Sequence, residues 1–403
     1  MLSEISIREQ VRNAGLELLG YLSRRSTGTR LVPVASPRPR NVLVIRPDHL
    51  GDLLFTTPAL SLLRQAQPQA HITVLVGPWG RDVLDGNPDV DEVITCDFPW
   101  FNRRRKRSPW EPYTLLRKMA SQLAGHRFDV ALNLRFDFWW GAALAHLAGI
   151  PEVIGYDQPG CHPFLTCALP YVPRCHEVEQ NLRLVSTLVE KGSPLVREAH
   201  SYPLRYRPSM ADDRWVDELL DETLRGESGL LLGIHPGAGA PVKLWTAHGF
   251  AEVARRLIHG FGGAVVITGS AAERELAQDI ANRLGAVPVR VLAGETSLGQ
   301  LAALFARCSL VIGVDSGPLH LAVAVGAPTV HLFGPSDLAA FGPYGDASKH
   351  VIVSAELPCS PCGRLDIAGD ELERHTCMLA IQPEQVISAA EAILTQTGRS
   401  SGL

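Results

Sequence analysis

No apolar run in this 403-residue chain reaches the roughly 18 residues that a membrane-spanning helix needs. The opening residues, MLSEISIREQ, lack the basic-then-apolar order of a signal peptide, so a cytoplasmic chain is the expectation. Neither sign of charge is in excess: 38 Lys and Arg stand against 42 Asp and Glu, for a formal net charge of −4. That balance argues against wholesale nucleic-acid binding and makes local patches the informative feature. Eight cysteines are too few in a chain this long for a secreted disulfide scaffold. A tandem repeat is also missing.

What is present is length and rhythm. A chain of 403 residues exceeds what one hydrophobic core usually supports, so two domains are expected. From residue 41, the β-rich runs NVLVIR, HITVLVG, DEVITC and DVALNL alternate with the helical patterns TPALSLLRQAQ and WWGAALAHLAG. This is the βαβ signature of a parallel sheet covered by helices. The rhythm breaks over 201–228 in a polar, Pro-containing segment. It resumes with GLLLGIHPG, GAVVITGS, VRVLAG, CSLVIGVDSG and APTVHLFG. Helices such as GFAEVARRLIHGF and SLGQLAALFARC lie between these runs, the second opened by a capping box of Ser297 and Gln300.

The expected architecture is α/β, with two Rossmann-like domains whose parallel sheets face a central cleft. They span 41–205 and 229–385, joined by a linker at 206–228 and followed by a terminal helix and tail at 386–403. Residues 1–40 precede them. There Ile7, Val11, Ala14, Leu18 and Leu22 recur at helical spacing with Arg8, Arg12, Arg24 and Arg25 nearby, ahead of a linker containing Pro33, Pro37 and Pro39. This amphipathic helix either lies on a membrane surface or packs its stripe on its own protein.

In open parallel sheets ligands bind beyond the carboxyl ends of the strands, which directs attention to four turns. The first is RPDHLGDLLFTTPAL, residues 46–60. Here Asp52 is expected at or beside the cap of a helix beginning near Leu53, as an ordinary cap worth about 1 kcal/mol or as a general base facing the cleft. Asp48, on the loop itself, is a second candidate. The next turn is GIHPGAGAPVKLW, residues 233–245, whose small residues let backbone N–H groups approach an anion and whose Lys243 adds a positive charge. Glycine-rich loops are common, and by itself this signal is weak.

The sharpest turn is VIGVDSGPLHLAVAVGAPTV, residues 311–330. A strand delivers Asp315 and Ser316, Gly317 turns, Pro318 suits the first helical position, and His320 follows one turn on. Such a helix start favours negative charge, and a pyrophosphate is its natural ligand, a capped helix with a buried histidine being the alternative. In the last turn, TGSAAERE, Glu273 sits in the first turn of a helix, where dipole complementation also accounts for it. The Asp89–Asp91 pair in GNPDVDEVI fits an Asp-any-Asp metal pattern, but turn chemistry explains it more simply.

FPWFNRRRKRSPWEPY, residues 98–113, places Arg103, Arg104, Arg105, Lys106 and Arg107 among Trp100, Phe101, Trp110 and Tyr113. The combination suits a phosphorylated lipid at a membrane interface, with a solvated charged loop as the alternative. The chain offers no continuing basic track for nucleic acid. Arg135, closing VALNLR, and the neighbouring Trp139 and Trp140 are placed at the border of the cleft, although tryptophans in a helix are more often core. Near the end, Cys359, Cys362, His375 and Cys377 form a weak candidate set for structural zinc, against unligated thiols or, least in favour, a disulfide.

Together, RPDHLGDLLFTTPAL, HPGAGAPVKLW, TGSAAERE and GVDSGPLHLAVAVGAPTVHLFGPSD, in this order and spacing, resemble the ADP-heptose:lipopolysaccharide heptosyltransferases of glycosyltransferase family 9. The likeness runs from about residue 41 to about 390. It implies a GT-B fold, an ADP-sugar donor on the C-terminal domain, and an acceptor, the lipopolysaccharide core or lipid A, on the N-terminal one. It also implies inverting transfer with no cofactor required, at the inner face of the inner membrane or in the cytoplasm. By position, Asp52 matches the family's catalytic base and Lys243 the lysine near the donor diphosphate. Asp315, Ser316, Gly317 and His320 match the donor-binding loop, and Glu273 matches a glutamate of the nucleotide site. One departure stands out: after HPG, where relatives commonly carry hydroxyl residues, this chain has Ala238, Gly239 and Ala240, which bears on donor identity. A nucleotide-sugar epimerase or hydrolase of the same fold, or a noncatalytic sugar-nucleotide-binding module, are the rival readings.

Overall fold

The computed structural model describes residues 15, 39–102, 108–190, 193–195, 201–223, 229–355, 357–367, 369–396 and 398. The helix expected over residues 4–25 lies, except for Gly15, outside the described residues. Arg103, Arg104, Arg105, Lys106 and Arg107 lie outside them as well.

Contacts divide the chain into two units. The first runs through His49 and from Phe55 to Tyr202; the second takes Leu50–Leu54 and the residues from Pro203 onward. In the first, strands β1 (Asn41–Arg46), β2 (His71–Val76), β3 (Glu92–Thr95), β4 (Val130–Asn133), β5 (Glu152–Tyr156) and β6 (Cys167–Leu169) form one parallel sheet in the order β3-β2-β1-β4-β5-β6. The second repeats this arrangement. Its strands β7 (Leu230–His235), β8 (Gly263–Ile267), β9 (Val289–Val291), β10 (Leu310–Val314), β11 (Thr329–Phe333) and β12 (His350–Ser354) lie in the order β12-β11-β10-β7-β8-β9. Each sheet has the doubly wound order, with the direction of winding reversing between β1 and β4 in one and between β7 and β10 in the other.

The strands read as unbroken apolar runs because helices cover both faces of each sheet. Val42 to Ile45 and Leu310 to Ile312 are at most 1% exposed. Trp140, with no exposed surface, anchors the first core and donates its indole N–H to the Pro112 carbonyl at 2.9 Å. Trp245 does the same in the second, donating to the Ile381 carbonyl at 3.1 Å. Both indoles thereby satisfy their one polar group, the condition for burying a tryptophan.

The stretch expected as a linker, 206–228, contains a helix at Met210–Thr223, anchored by buried Val216 and by Arg307, which pairs with Asp213 and Asp217 at 2.7 and 3.1 Å. Its apolar positions are sparse, which is why it reads as polar chain. The terminal helix spans Pro383–Gln396 and buries Val386, Ala390, Ile393 and Leu394 in the second core. No helix among the described residues is long and apolar enough to cross a membrane.

Candidate functional site

In the second sheet the reversal point is flanked by β7 and β10, in register with Gly313 beside His235. Two of the turns singled out in the sequence leave the sheet there. After β10, Ser316 is extended (φ −157°) and the helix Gly317–Ala324 begins with a proline in its first turn. Ser316 is 9% exposed, its side chain does not cap the helix, and its Oγ has no hydrogen-bond partner among the described residues. A buried hydroxyl without a partner is costly in a protein alone, and a bound ligand or a water can supply one. The helix start behind it carries the partial positive charge that favours an anion.

Asp315, 6% exposed, lies beside this hydroxyl. Lys243 Nζ is 2.6 Å from its Oδ2 and His320 Nε2 is 3.7 Å from its Oδ1. Burial works against the charge of Asp315, but the imidazole of His320 and the ammonium of Lys243 outweigh it and hold the carboxyl well below the usual range. Lys243 ends the 3-10 turn Pro241–Lys243, which sets its ammonium against Asp315. His320 is 3% exposed. Its ring packs against Asp315.

The loop after β7 is shaped by Glu273. Its carboxylate accepts the Ser270 N–H at 2.6 Å in a capping box, and it fills the space behind Gly237, where an added Cβ would stand 2.0 Å from Oε1. Next to it, His235 is 4% exposed and contacts Thr268 Oγ1 through Nδ1 at 3.0 Å. Burial brings its pKa down to about 4 against the opposing pull of Glu273, so the ring is neutral near pH 7. At the departure in this loop, Ala240 packs with buried Val242 and Ile367, so a hydroxyl at 240 would be buried against aliphatic carbons.

Asp52 joins this same unit through the five-residue helix Leu50–Leu54, which buries Leu53 and Leu54. The helix starts at Leu50, not near Leu53. Asp52 accordingly sits inside the first turn, half-buried, instead of at the cap. The helix lies on the start of Gly317–Ala324: a Cβ on Gly51 would stand 3.2 Å from His320 Cδ2 and 3.5 Å from Gly317 Cα. Glycine at both positions is what allows the backbones this close.

At the reversal point of the first sheet is a buried charge network that pattern reading missed in part. Arg46, 1% exposed, pairs through Nε with Asp48 Oδ2 at 2.8 Å and through Nη2 with Glu177 Oε2 at 3.1 Å, and donates to Asn181 Oδ1 at 3.2 Å. Asp48 also binds Arg135, whose Nε reaches Asp137 at 2.8 Å and whose guanidinium lies 5.1 Å from the Phe101 ring centroid. Burial disfavours charge on Arg135, yet Asp48 and Asp137 more than compensate and keep it protonated. The missed members were Arg46, Glu177, Asn181 and Asp137. An arginine closing an otherwise apolar strand was the available signal for the first; the other three gave none.

Elsewhere the expectations divide. Asp89 accepts from Ser61 Oγ at 2.6 Å and Asp91 from the Ile72 N–H at 2.7 Å and from Arg64, contacts that tie the turn to neighbouring elements. Trp139 and Trp140 are core residues. All eight cysteines are free, Cys359 and Cys362 are exposed, and Cys377 is buried beside Gly334. Among the described residues no group of three or more His, Cys, Asp or Glu could hold a metal ion, and Cys359, Cys362, His375 and Cys377 do not assemble as a zinc set.

With this geometry in view, the sequence profile described as glycosyltransferase family 9 (heptosyltransferase) matches residues 116–368, more than half of the chain. The chain belongs to glycosyltransferase family 9. Among relatives of this family 9 protein is lipopolysaccharide heptosyltransferase 2 of Escherichia coli (strain K12), 27% identical over 365 residues that cover 88% of this chain and 99% of the relative. The solved glycosyl transferase family 9 structure from Veillonella parvula DSM 2008 is similar with a TM-score of 0.72 at 26% identity, covering 91% of this chain and 100% of that one. E. coli ADP-heptose lps heptosyltransferase II matches with a TM-score of 0.66 at 26% identity, over 89% of this chain and 99% of its own. The two doubly wound sheets are the GT-B fold of these family 9 enzymes, and the protein is a glycosyltransferase.

Proposed function

We propose that this protein transfers a heptose from ADP-heptose, with inversion and without a metal, to the inner core of lipopolysaccharide or a related lipid-linked glycan. The observation that carries the reading is the packing of the Asp52 helix on the start of Gly317–Ala324, where Ser316 Oγ lacks a partner and Lys243 is held by Asp315. Relatives named as lipopolysaccharide heptosyltransferases support the choice of sugar and acceptor.

In this reading the donor diphosphate lies at the helix start, accepting from Ser316 Oγ and facing Lys243. As the anomeric C–O bond breaks, its electron pair goes to the departing ADP. The developing charge is met by dipoles and a cation already in place, so little reorganisation is needed. The acceptor hydroxyl oxygen forms the new bond from the opposite face and its proton passes to Asp52. Asp315 orients Lys243; His320 supports Asp315. Glu273 shapes the nucleotide side by holding the loop at Gly237, and that loop offers backbone groups at Ala238 to Ala240 in place of hydroxyls. In the first unit Arg135, clamped by Asp48 and Asp137, is the cation for an acceptor phosphate, with Arg103, Arg104, Arg105, Lys106 and Arg107 contributing to the same task. No cofactor enters the reaction.

The test is a donor screen with purified protein and defined lipopolysaccharide-core acceptors, read by product mass, with and without EDTA. A heptosyl adduct formed from ADP-heptose in both conditions is the expected result. Adduct formation with another nucleotide sugar alone overturns the donor, and release of free sugar with no adduct overturns transfer.

A further inference from the structure

Among the described residues, two buried hydroxyls lack a hydrogen-bond partner, Ser316 Oγ and Ser336 Oγ. Both belong to the second unit. Ser316 follows the end of β10 and Ser336 the end of β11, and these strands are parallel neighbours, with the Asp315 N–H donating to the Leu332 carbonyl at 3.1 Å. Their turns therefore leave the same end of the sheet side by side.

Ser316 has a task in the donor reading, at the diphosphate. Ser336 has none, although at 4% exposed it is the more deeply buried of the two. Its turn is braced from behind: Gly334 packs on Met378, where an added Cβ would stand 2.6 Å from Sδ, and the Gly334 carbonyl accepts from Ser360 Oγ at 2.6 Å. The Pro335 carbonyl accepts the Gly363 N–H at 2.8 Å, and Asp337 Oδ1 accepts the Ala339 N–H at 3.0 Å. A buried water usually makes about three hydrogen bonds, and these acceptors around Ser336 are already engaged. The hydroxyl is thus firmly placed and left unpaired, which costs free energy unless a bound group completes it.

Strand order points to that group. The ends of β8, β7, β10 and β11 follow one another across the sheet, and the turns after them carry Glu273, Lys243, Ser316 and Ser336 in the same sequence. In the donor reading Glu273 shapes the nucleotide side, and Lys243 and Ser316 meet the diphosphate. The next place in the row falls to whatever is joined to the far end of the diphosphate. Adjacent strands stand about 4.8 Å apart, so the step is a short one.

Resting on that reading of the second unit, we infer that Ser336 Oγ hydrogen-bonds a hydroxyl of the glycosyl group of the nucleotide-sugar donor. It then distinguishes the sugar-bearing donor from the bare nucleoside diphosphate. A serine hydroxyl both donates and accepts, which matches a sugar hydroxyl and brings no charge.

The experiment uses the full chain and calorimetric titration with ADP and with ADP-heptose, without acceptor. Ser336→Ala, and Ser336→Cys, whose thiol is a weak hydrogen-bonding group of similar shape, are expected to weaken ADP-heptose by about three- to tenfold and ADP by less than about twofold, with unchanged thermal midpoints. Ser316→Ala is the contrast and weakens both ligands alike. Equal weakening of ADP and ADP-heptose by the Ser336 variants moves the hydroxyl to the nucleotide and overturns the inference. So does wild-type affinity of both variants for both ligands, the result expected if a water completes Ser336. Where the donor screen turns over a different nucleotide sugar, that sugar and its diphosphate replace the pair, so the identity of the donor can fail while the role of Ser336 is still read. Wild-type protein that binds no nucleotide or nucleotide sugar overturns the donor reading and this inference with it.

Discussion

Gly51 and Gly317 pack face to face: a Cβ on Gly317 would stand 3.1 Å from the Gly51 nitrogen and 3.0 Å from Leu50 Cβ. Neither glycine has a left-handed backbone, so space alone requires them. Gly317→Ala would press on backbone that cannot yield without moving the Asp52 helix. The expected cost is about 1–3 kcal/mol in urea unfolding, with a fall in kcat toward a hundredfold if the carboxylate shifts by about 1 Å.

Asp52→Asn separates chemistry from binding. As general base, its loss lowers kcat by roughly a hundred- to ten-thousandfold. ADP binding, measured by calorimetry, stays close to wild type, and stability changes by less than about 1 kcal/mol, the scale of a first-turn charge. A variant that keeps normal turnover removes Asp52 from the mechanism.

Two neighbours should respond differently. Ser316→Ala deletes a hydroxyl that has no partner among the described residues, so stability holds within about 0.5 kcal/mol, while ADP affinity drops by about tenfold, as for a hydrogen bond to a charged group. Lys243→Gln leaves Asp315 buried without its cation; it lowers stability by about 3 kcal/mol and donor affinity with it. Asp315 should then titrate at higher pH, since its charge is no longer offset.

Acid should weaken the second unit before it protonates ordinary carboxylates. His235 and His350 titrate near 4 when folded, and His331 well below 6.5, burial being the main cause for each. The unfolded chain therefore binds more protons between about 4 and 6.5, and stability must fall as pH drops through that window. For His235 the loss is roughly 2–3 kcal/mol by pH 4. His235→Gln should flatten the profile there. Asp315 acts lower down: its depressed pKa contributes stability above its ordinary value of 3.8, which is lost on further acidification.

In the first unit, Asp48→Ala strands Arg46, which is 1% exposed, with Glu177 as its remaining carboxylate. A loss of about 3–5 kcal/mol in urea unfolding is expected. Retention of full stability would mean that Glu177 alone balances the arginine.

The motifs around Asp315, Ser316 and Lys243 were legible because they combine strand, turn and helix-start signals within a few residues. The Ser297 and Gln300 capping box was legible for the same reason and is present with both of its hydrogen bonds. Partners far apart in the chain were not. Glu177 lies 131 residues from Arg46, and no local pattern relates them. The helix at Met210–Thr223 escaped notice because its support comes from contacts such as that of Arg307 with Asp213, 94 residues away.

By itself the sequence determined two parallel sheets, their strands apart from β5, β6 and β12, and the turns that end at each reversal point, because hydrophobic period and turn chemistry are local properties of the chain. Only the tertiary structure decided that Leu50–Leu54 groups with the second unit, that His320 packs against Asp315, and that Asp48 joins two arginines. Those outcomes depend on which backbones can approach closely and which charges share a buried space, and both are set by packing between segments distant in the chain.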